Sequence, residues 1–198
     1  DRLEHPINRW PNPGASLAYL GNLYSAQGQP EKAIARYQEA LLADPLSPGT
    51  HTQLGFALAK QGRLEEAVGH FTEAFRLDPG DPKASFNLGH ALGRLARPDD
   101  ALRYLRNAVA LKGDYAEAHH ELGLALAKKG QMSEAIRHLA EASRLKPNFL
   151  KAHNDLGVAF AMQGRFDEAI RSFSDALRIQ YQDAEVHTNL GMALVSKG

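Results

Sequence analysis

The sequence predicts an all-α fold, a solenoid of antiparallel helix pairs, on three observations. A Leu-Gly pair recurs at equal intervals, at Leu20-Gly21, Leu54-Gly55, Leu88-Gly89, Leu122-Gly123, Leu156-Gly157 and Leu190-Gly191. Twelve residues after each of the first five glycines stands an alanine (Ala33, Ala67, Ala101, Ala135, Ala169), and seven later another (Ala40, Ala74, Ala108, Ala142, Ala176). Between the two alanines sits a large apolar residue: Tyr37, Phe71, Leu105, Leu139 or Phe173. A fixed period of this size marks stacked supersecondary units, none of which buries its apolar face alone.

Each unit reads as two amphipathic helices. In the first, Leu54 and Leu58 with the small residues Gly55 and Ala57 form a core-facing stripe at helical spacing. The stretch Lys60-Gln61-Gly62-Arg63 ends it at Gly62. In the second, Glu65 and Glu66 lie near the positive N-terminal end and Arg76 near the C-terminal end, as the macrodipole favours. Asp78-Pro79 stops that helix, because a residue before proline is pushed out of helical geometry. Gly55 and Ala67 are expected at a close helix crossing, where larger side chains overpack by roughly 1 to 3 kcal/mol. The repeats run 14–47, 48–81, 82–115, 116–149 and 150–183, with a partial sixth at 184–198.

This pattern resembles the tetratricopeptide repeat family: Leu-Gly in the first helix, then Ala, an aromatic, Ala and Pro, within a unit of about 34 residues. The resemblance covers residues 14–198 and implies a right-handed superhelix whose first helices line a concave groove. The third repeat departs from the pattern at Ala96 and Gly113, where the turn Gly and closing Pro belong, and the fifth has Tyr181 in place of that Pro. Residues 1–13 are outside the repeat register, hold three prolines and the single tryptophan, Trp10, and read as a lead-in or N-terminal cap. At the other end a lone helix carries Leu190 and Leu194 for a partner, as expected if it caps the stack or if the natural protein continues.

Composition excludes several classes. With 43% hydrophobic residues the chain can build a real core. Lys plus Arg balances Asp plus Glu at 23 each, so no global field draws it to nucleic acid or an anionic membrane. There is no cysteine, hence no disulfide, thiolate nucleophile or Cys-based zinc site. No apolar run reaches the length of a membrane span. The chain starts at Asp1 without a Met or a signal-like stretch, as expected of a processed or excised piece.

"HHELGLALAKKG", residues 119–130, places two histidines beside a glutamate, but the frame itself recurs, and His51, His119, His153 and His187 all precede the Leu by three. Successive repeats set this column about one helix pair apart, and a helix is roughly 10 Å across. Zinc needs its donors about 2 Å from one ion, so the column makes no single metal site. His119 and His120 point about 100° apart on a helix. The column is read as half-buried packing histidines, with a pH-sensitive role or a metal site as the alternatives. No phosphate loop or strand-borne acid/base pair supports intrinsic catalysis or a cofactor.

Similar repeats occur as the substrate-gripping arm of the O-linked N-acetylglucosamine transferases, which carry an asparagine ladder just before the Leu. That slot reads Tyr19, Gln53, Asn87, Glu121, Asp155 and Asn189, so the ladder is absent. Chaperone-binding relatives grip a C-terminal carboxylate with a clamp of Lys and Asn. Here the corresponding slots are Ala18 and Asn22, Gln53, then Lys83 and Asn87, which lack two of three cations and disfavour an acidic chaperone tail.

The functional signal lies on the first-helix face opposite Leu-Gly. Its centre is expected to be Asn22, Phe56, Phe86, His90, Leu124, Val158 and Met192, flanked by Lys60, Lys83, Arg94, Lys128 and Lys151 against Glu117 and Glu185. The chain is thus expected to be a non-enzymatic scaffold whose groove takes a protein or peptide segment with apolar and acidic residues, without nucleic acid or membrane as partner. The alternatives are a self-assembling structural protein, forming a homo-oligomer through its repeat ends, and a substrate-recruiting arm of a larger enzyme.

Overall fold

A computed structural model describes residues 12–198. Eleven α-helices follow one another among them, with no strand: α1 (Pro13–Ala26), α2 (Pro30–Ala43), α3 (Pro48–Lys60), α4 (Leu64–Leu77), α5 (Pro82–Arg94), α6 (Pro98–Leu111), α7 (Ala116–Lys128), α8 (Met132–Leu145), α9 (Leu150–Met162), α10 (Phe166–Ile179) and α11 (Ala184–Lys197). Trp10 and most of the stretch read as a lead-in lie outside the described residues; Pro13 opens α1, and Asn12 caps it by accepting from the Ala15 amide at 3.1 Å.

The helices group into two compact units, one ending at Arg97 and one starting at Pro98. In the first, α1 pairs with α2 and α3 with α4, and α3 and α5 each pack on the helix before them. In the second, α7 pairs with α8 and α9 with α10, while α7, α9 and α11 lie on their predecessors. The odd-numbered helices from α3 onward begin one repeat length apart, at Pro48, Pro82, Ala116, Leu150 and Ala184, which is the sequence period made visible.

The recurring glycine has a specific neighbour. A Cβ built on Gly21, Gly55 or Gly157 falls 2.5 to 2.7 Å from the ring of Tyr37, Phe71 or Phe173, and on Gly123 2.7 Å from Leu139 Cγ. The expected close approach of two backbones is therefore mostly an approach of one helix to a ring edge or branched side chain of the other. Gly123 adds a backbone contact, with its virtual Cβ 3.1 Å from the Ala135 carbonyl. Tyr37, Phe71, Leu105, Leu139 and Phe173 are buried, as are the paired alanines on either side of each.

Both kinds of turn repeat closely. Between the helices of a pair, Gly28, Gly62, Gly130 and Gly164 take positive φ, and the next amide returns to the helix end, as Arg63 does to the Leu58 carbonyl at 3.0 Å. Ala96 adopts the same left-handed geometry, φ 54°, with Arg97 returning to Leu92 at 3.0 Å. The turns into α5, α7, α9 and α11 each close with an amide bonding the carbonyl three residues back: Asp81 to Asp78, Tyr115 to Lys112, Phe149 to Lys146, Asp183 to Gln180. Gly113 and Tyr181 therefore leave the turn unchanged, because it is held by backbone groups that any residue supplies.

Candidate functional site

In the first unit α3, α4 and α5 enclose a cavity of about 390 Å³ lined by Phe56, Ala59, Lys60, Phe71, Phe86, Asn87, His90, Ala91 and Arg94. Five residues expected on the groove face, Phe56, Lys60, Phe86, His90 and Arg94, thus meet at one place. Phe71, from the second helix of its repeat, forms the wall that sequence reasoning assigned to the core alone. Phe56 meets the Phe71 ring edge-on at 5.3 Å and Phe86 stacks on His90 at 6.0 Å. Phe56 stays 43% exposed, high for a large apolar side chain. Neither Lys60 nor Arg94 pairs with a carboxylate among the described residues. The result is an aromatic floor between two cations.

The remaining expected residues are dispersed. Lys83 stands exposed in the first turn of α5, outside the cavity lining. Asn22, on α1, accepts from the Tyr37 hydroxyl at 2.8 Å. In the second unit Leu124 packs on the cluster of Ile136, Leu139, Leu156 and Ala159, and Val158 on that of Phe173, Val186 and Ala193. Both are half-buried core residues rather than an open floor. Met192 is 58% exposed on α11, and Lys128 and Lys151, on α7 and α9, are both exposed. Glu117, read as a groove acid, is engaged by Lys146 Nζ at 2.7 Å, which holds its carboxyl below the usual range.

What the second unit presents on these helices is polar. His120, nearly fully buried, lies tilted against the Phe149 ring at 4.9 Å and places Nε2 2.6 Å from Asp155 Oδ2. Asn189 donates to Asn154 Oδ1 at 3.0 Å and Asn154 to Glu185 Oε1 at 3.2 Å. Sequence reasoning weighed His120 only as a metal ligand beside His119 and did not single out Asn154. The available signal was spacing, since two of these bonds join residues 35 apart, one period plus one.

The histidine column has a local explanation. His51, His119, His153 and His187 each direct Nε2 to the carbonyl six residues earlier, at 3.1, 3.0, 3.1 and 2.7 Å. A carbonyl only accepts, so that nitrogen carries the proton and Nδ1 is left with a lone pair. In two repeats that lone pair meets a second imidazole: His70 Nδ1 lies 3.0 Å from His51 Nδ1, and His138 Nδ1 2.9 Å from His119 Nδ1. Arg137 donates to His138 Nε2 at 3.3 Å, which fixes the His138 proton on Nδ1. His51 and His119 are buried, whereas His153 is half-buried and His187 exposed. Among the described residues no cluster of three or more His, Asp or Glu is arranged to hold a metal, and no helix is long and apolar enough to cross a membrane.

Comparison with known proteins bears on this architecture. Sequence profiles of the tetratricopeptide repeat match residues 20–82, 58–120, 94–148 and 126–192. No curated protein matches the chain. Among solved structures, YrrB, described as a TPR protein with an unusual peptide-binding site, is 25% identical with a TM-score of 0.76, over 95% of this chain and 97% of its own. MamA is 29% identical with a TM-score of 0.75, over 83% of this chain and 96% of its own. A MamA fragment from Desulfovibrio magneticus RS-1 is 26% identical with a TM-score of 0.78, over 86% and 97%. The repeated helix pairs, their glycine-to-ring packing and these matches together show that the chain belongs to the tetratricopeptide repeat family, whose members are typically non-enzymatic protein-interaction scaffolds.

Proposed function

We propose that the chain binds a peptide segment of a partner protein on its first-helix face, anchored in the cavity between α3 and α5. The observation that carries this reading is the junction of a half-exposed aromatic floor with two unpaired cations, Lys60 and Arg94. An apolar side chain removes Phe56 and Phe86 from water, while carboxylates beside it meet the cations at the rim. The occupant is thus an aromatic or aliphatic anchor flanked by Asp or Glu. The peptide-binding site described for YrrB supports the same class of role.

The test is a titration with peptides selected against the full chain from a library of Phe, Trp and Leu anchors flanked by acidic residues. Phe86→Ala should cost about 2 kcal/mol, mainly through faster dissociation. Lys60→Ala should slow association and flatten its salt dependence. Arg137→Ala, on α8 and not among the cavity lining, should change neither. Equal affinity for all three variants would move the site elsewhere.

A second reading is favoured by α11, where Leu194 and Val195 are 50% and 83% exposed beside Met192. Here the occupant is a second copy of the chain, and Leu194→Lys should shift sedimentation toward monomer. A chain that sediments as a monomer at high concentration before mutation removes this reading.

A further inference from the structure

The slot just before the repeating Leu reads Tyr19, Gln53, Asn87, Glu121, Asp155 and Asn189, and Asn87 is the buried one, 8% exposed. Elsewhere the slot meets water or a neighbour: Gln53 is exposed, Asp155 Oδ2 lies 2.6 Å from His120 Nε2, and Asn189 donates to Asn154 Oδ1 at 3.0 Å. Asn87 instead lines the cavity, and its side-chain amide has no hydrogen-bond partner among the described residues. Around it stand the Phe56, Phe71 and Phe86 rings with Ala59 and Ala91. Lys60 and Arg94 also line the cavity but are exposed, so they keep their water when it is filled. The amide does not have that freedom. It carries an acceptor oxygen and two N–H donors, which water serves in an open cavity. An apolar side chain that fills the space removes that water and returns nothing, a cost specific to buried polar groups.

We infer that Asn87 selects the anchor residue of the partner: the cavity takes an aromatic side chain that carries a hydrogen-bonding group, Tyr or Trp, in preference to an apolar one of the same shape. The inference rests on the reading of the cavity as the anchor site. Its volume of about 390 Å³ lies at the small end of ligand cavities, roughly 300 to 1,000 Å³, and suits one large side chain. The Phe56, Phe71 and Phe86 rings offer faces and edges to an aromatic anchor. A Tyr hydroxyl donates to Asn87 Oδ1 or accepts from its Nδ2–H, and a Trp Nε1–H donates to Oδ1, whereas Phe leaves the amide unpaired. Discrimination of this kind is large because the anchor lacking the group strands a polar atom of the pocket itself. His90, which stacks on Phe86, is the other half-buried polar side chain of the lining and the competing source of such a preference.

The experiment is an NMR chemical-shift titration of the full chain with capped peptides of one frame, Ser-Asp-Glu-X-Glu-Asp-Ser, in which X is Tyr, Phe, Trp or 1-naphthylalanine. Tyr should bind about five- to a hundredfold tighter than Phe, from which it differs by one hydroxyl, and Trp should exceed naphthylalanine, its apolar counterpart. Asn87→Leu, which keeps the bulk of the side chain and removes the amide, should bring the Tyr-to-Phe ratio to one or below. Asn87→Ala, which removes the amide without filling the cavity, should do the same. Lys60→Ala and Arg94→Ala should weaken both peptides alike and leave the ratio as it was. A Phe peptide that binds as tightly as the Tyr peptide, or a ratio that survives both changes at Asn87 and is lost in His90→Phe, would overturn the inference and leave the cavity as the anchor site. Failure of every anchor to bind, or binding that Phe86→Ala does not weaken, would overturn the reading of the cavity and the inference with it.

Discussion

At the scale of single residues, the most unusual backbone position is Ala96, an alanine where the matching turns hold glycine. A left-handed conformation costs an L-residue about 1 to 2 kcal/mol, and glycine returns part of that through its larger unfolded-state entropy. Ala96→Gly should therefore stabilise the first unit by about 0.5 to 1 kcal/mol, read from chemical denaturation. His138 carries the second residue-scale expectation. The unfolded chain takes up a proton near the ordinary value of 6.5 and the folded chain only near 4. Its contribution is present in full above pH 6.5 and is lost as the pH falls toward 4, a change on the order of 3 kcal/mol. His138→Gln should flatten that limb of the stability profile, and an unaltered limb would place the acid sensitivity elsewhere.

At the scale of helices, the fit between a glycine and a large side chain sets the tolerance of each pair. Ala135 is fully buried, and its carbonyl lies 3.1 Å from the position of a Cβ on Gly123. Ala135→Leu should destabilise by about 1 to 3 kcal/mol in thermal melts, whereas Lys129→Ala, which removes only an exposed ion pair with Asp99, should cost at most about 1 kcal/mol. A neutral Ala135→Leu would mean that α7 and α8 are paired in another register. The helix pairs were legible in the sequence because their determinants, Leu-Gly, the paired alanines and the turn glycines, return once in each repeat with few exceptions. Of the candidate cavity, the sequence showed the first-helix part of the lining, Phe56, Lys60, Phe86, His90 and Arg94, because these side chains break the period on one helical face. Leu124 and Val158 occupy the same helical face but find apolar neighbours on the next helix pair, which a single-helix projection cannot show. The contact His120 makes was not legible, because its partner, Asp155, belongs to the following repeat.

At the scale of the whole molecule, a chain of zero formal charge leaves Lys60 and Arg94 without a carboxylate partner among the described residues while many of its acids pair on the second helices. Arg36–Glu39, Arg63–Glu66, Arg76–Glu73, Arg144–Glu141, Arg165–Glu168 and Arg178–Asp175 are all pairs within one helix or its entry, largely exposed and individually weak. Their joint effect is positional: acids concentrate on second helices and leave Lys60 and Arg94 uncompensated. Other contacts join consecutive helix pairs at a spacing of 30 residues, namely Glu31 with Gln61 at 2.9 Å, Asp99 with Lys129 at 2.7 Å and Asp167 with Lys197 at 2.7 Å. At the intervening positions, Leu95 and Gln163, no such clasp is formed among the described residues.

Successive clasps stand two repeat lengths apart, and so do the two imidazole pairs. The interchangeable module of this chain is then a double repeat, and cutting it at the wrong multiple should matter more than how much is cut. Removing 64–131 joins Arg63 to Met132, so that His51 meets His138 and Gly55 meets Leu139, a pairing the chain already uses. Removing only 64–97 joins Arg63 to Pro98 and sets His51 opposite Tyr104, with its Nδ1 lone pair buried beside a residue of different reach. Shorter repeat arrays are ordinarily less stable than longer ones. Here the shorter excision product should melt at the same temperature as the longer one or above it, and a melting point that simply tracks length would reduce the double-repeat spacing to coincidence.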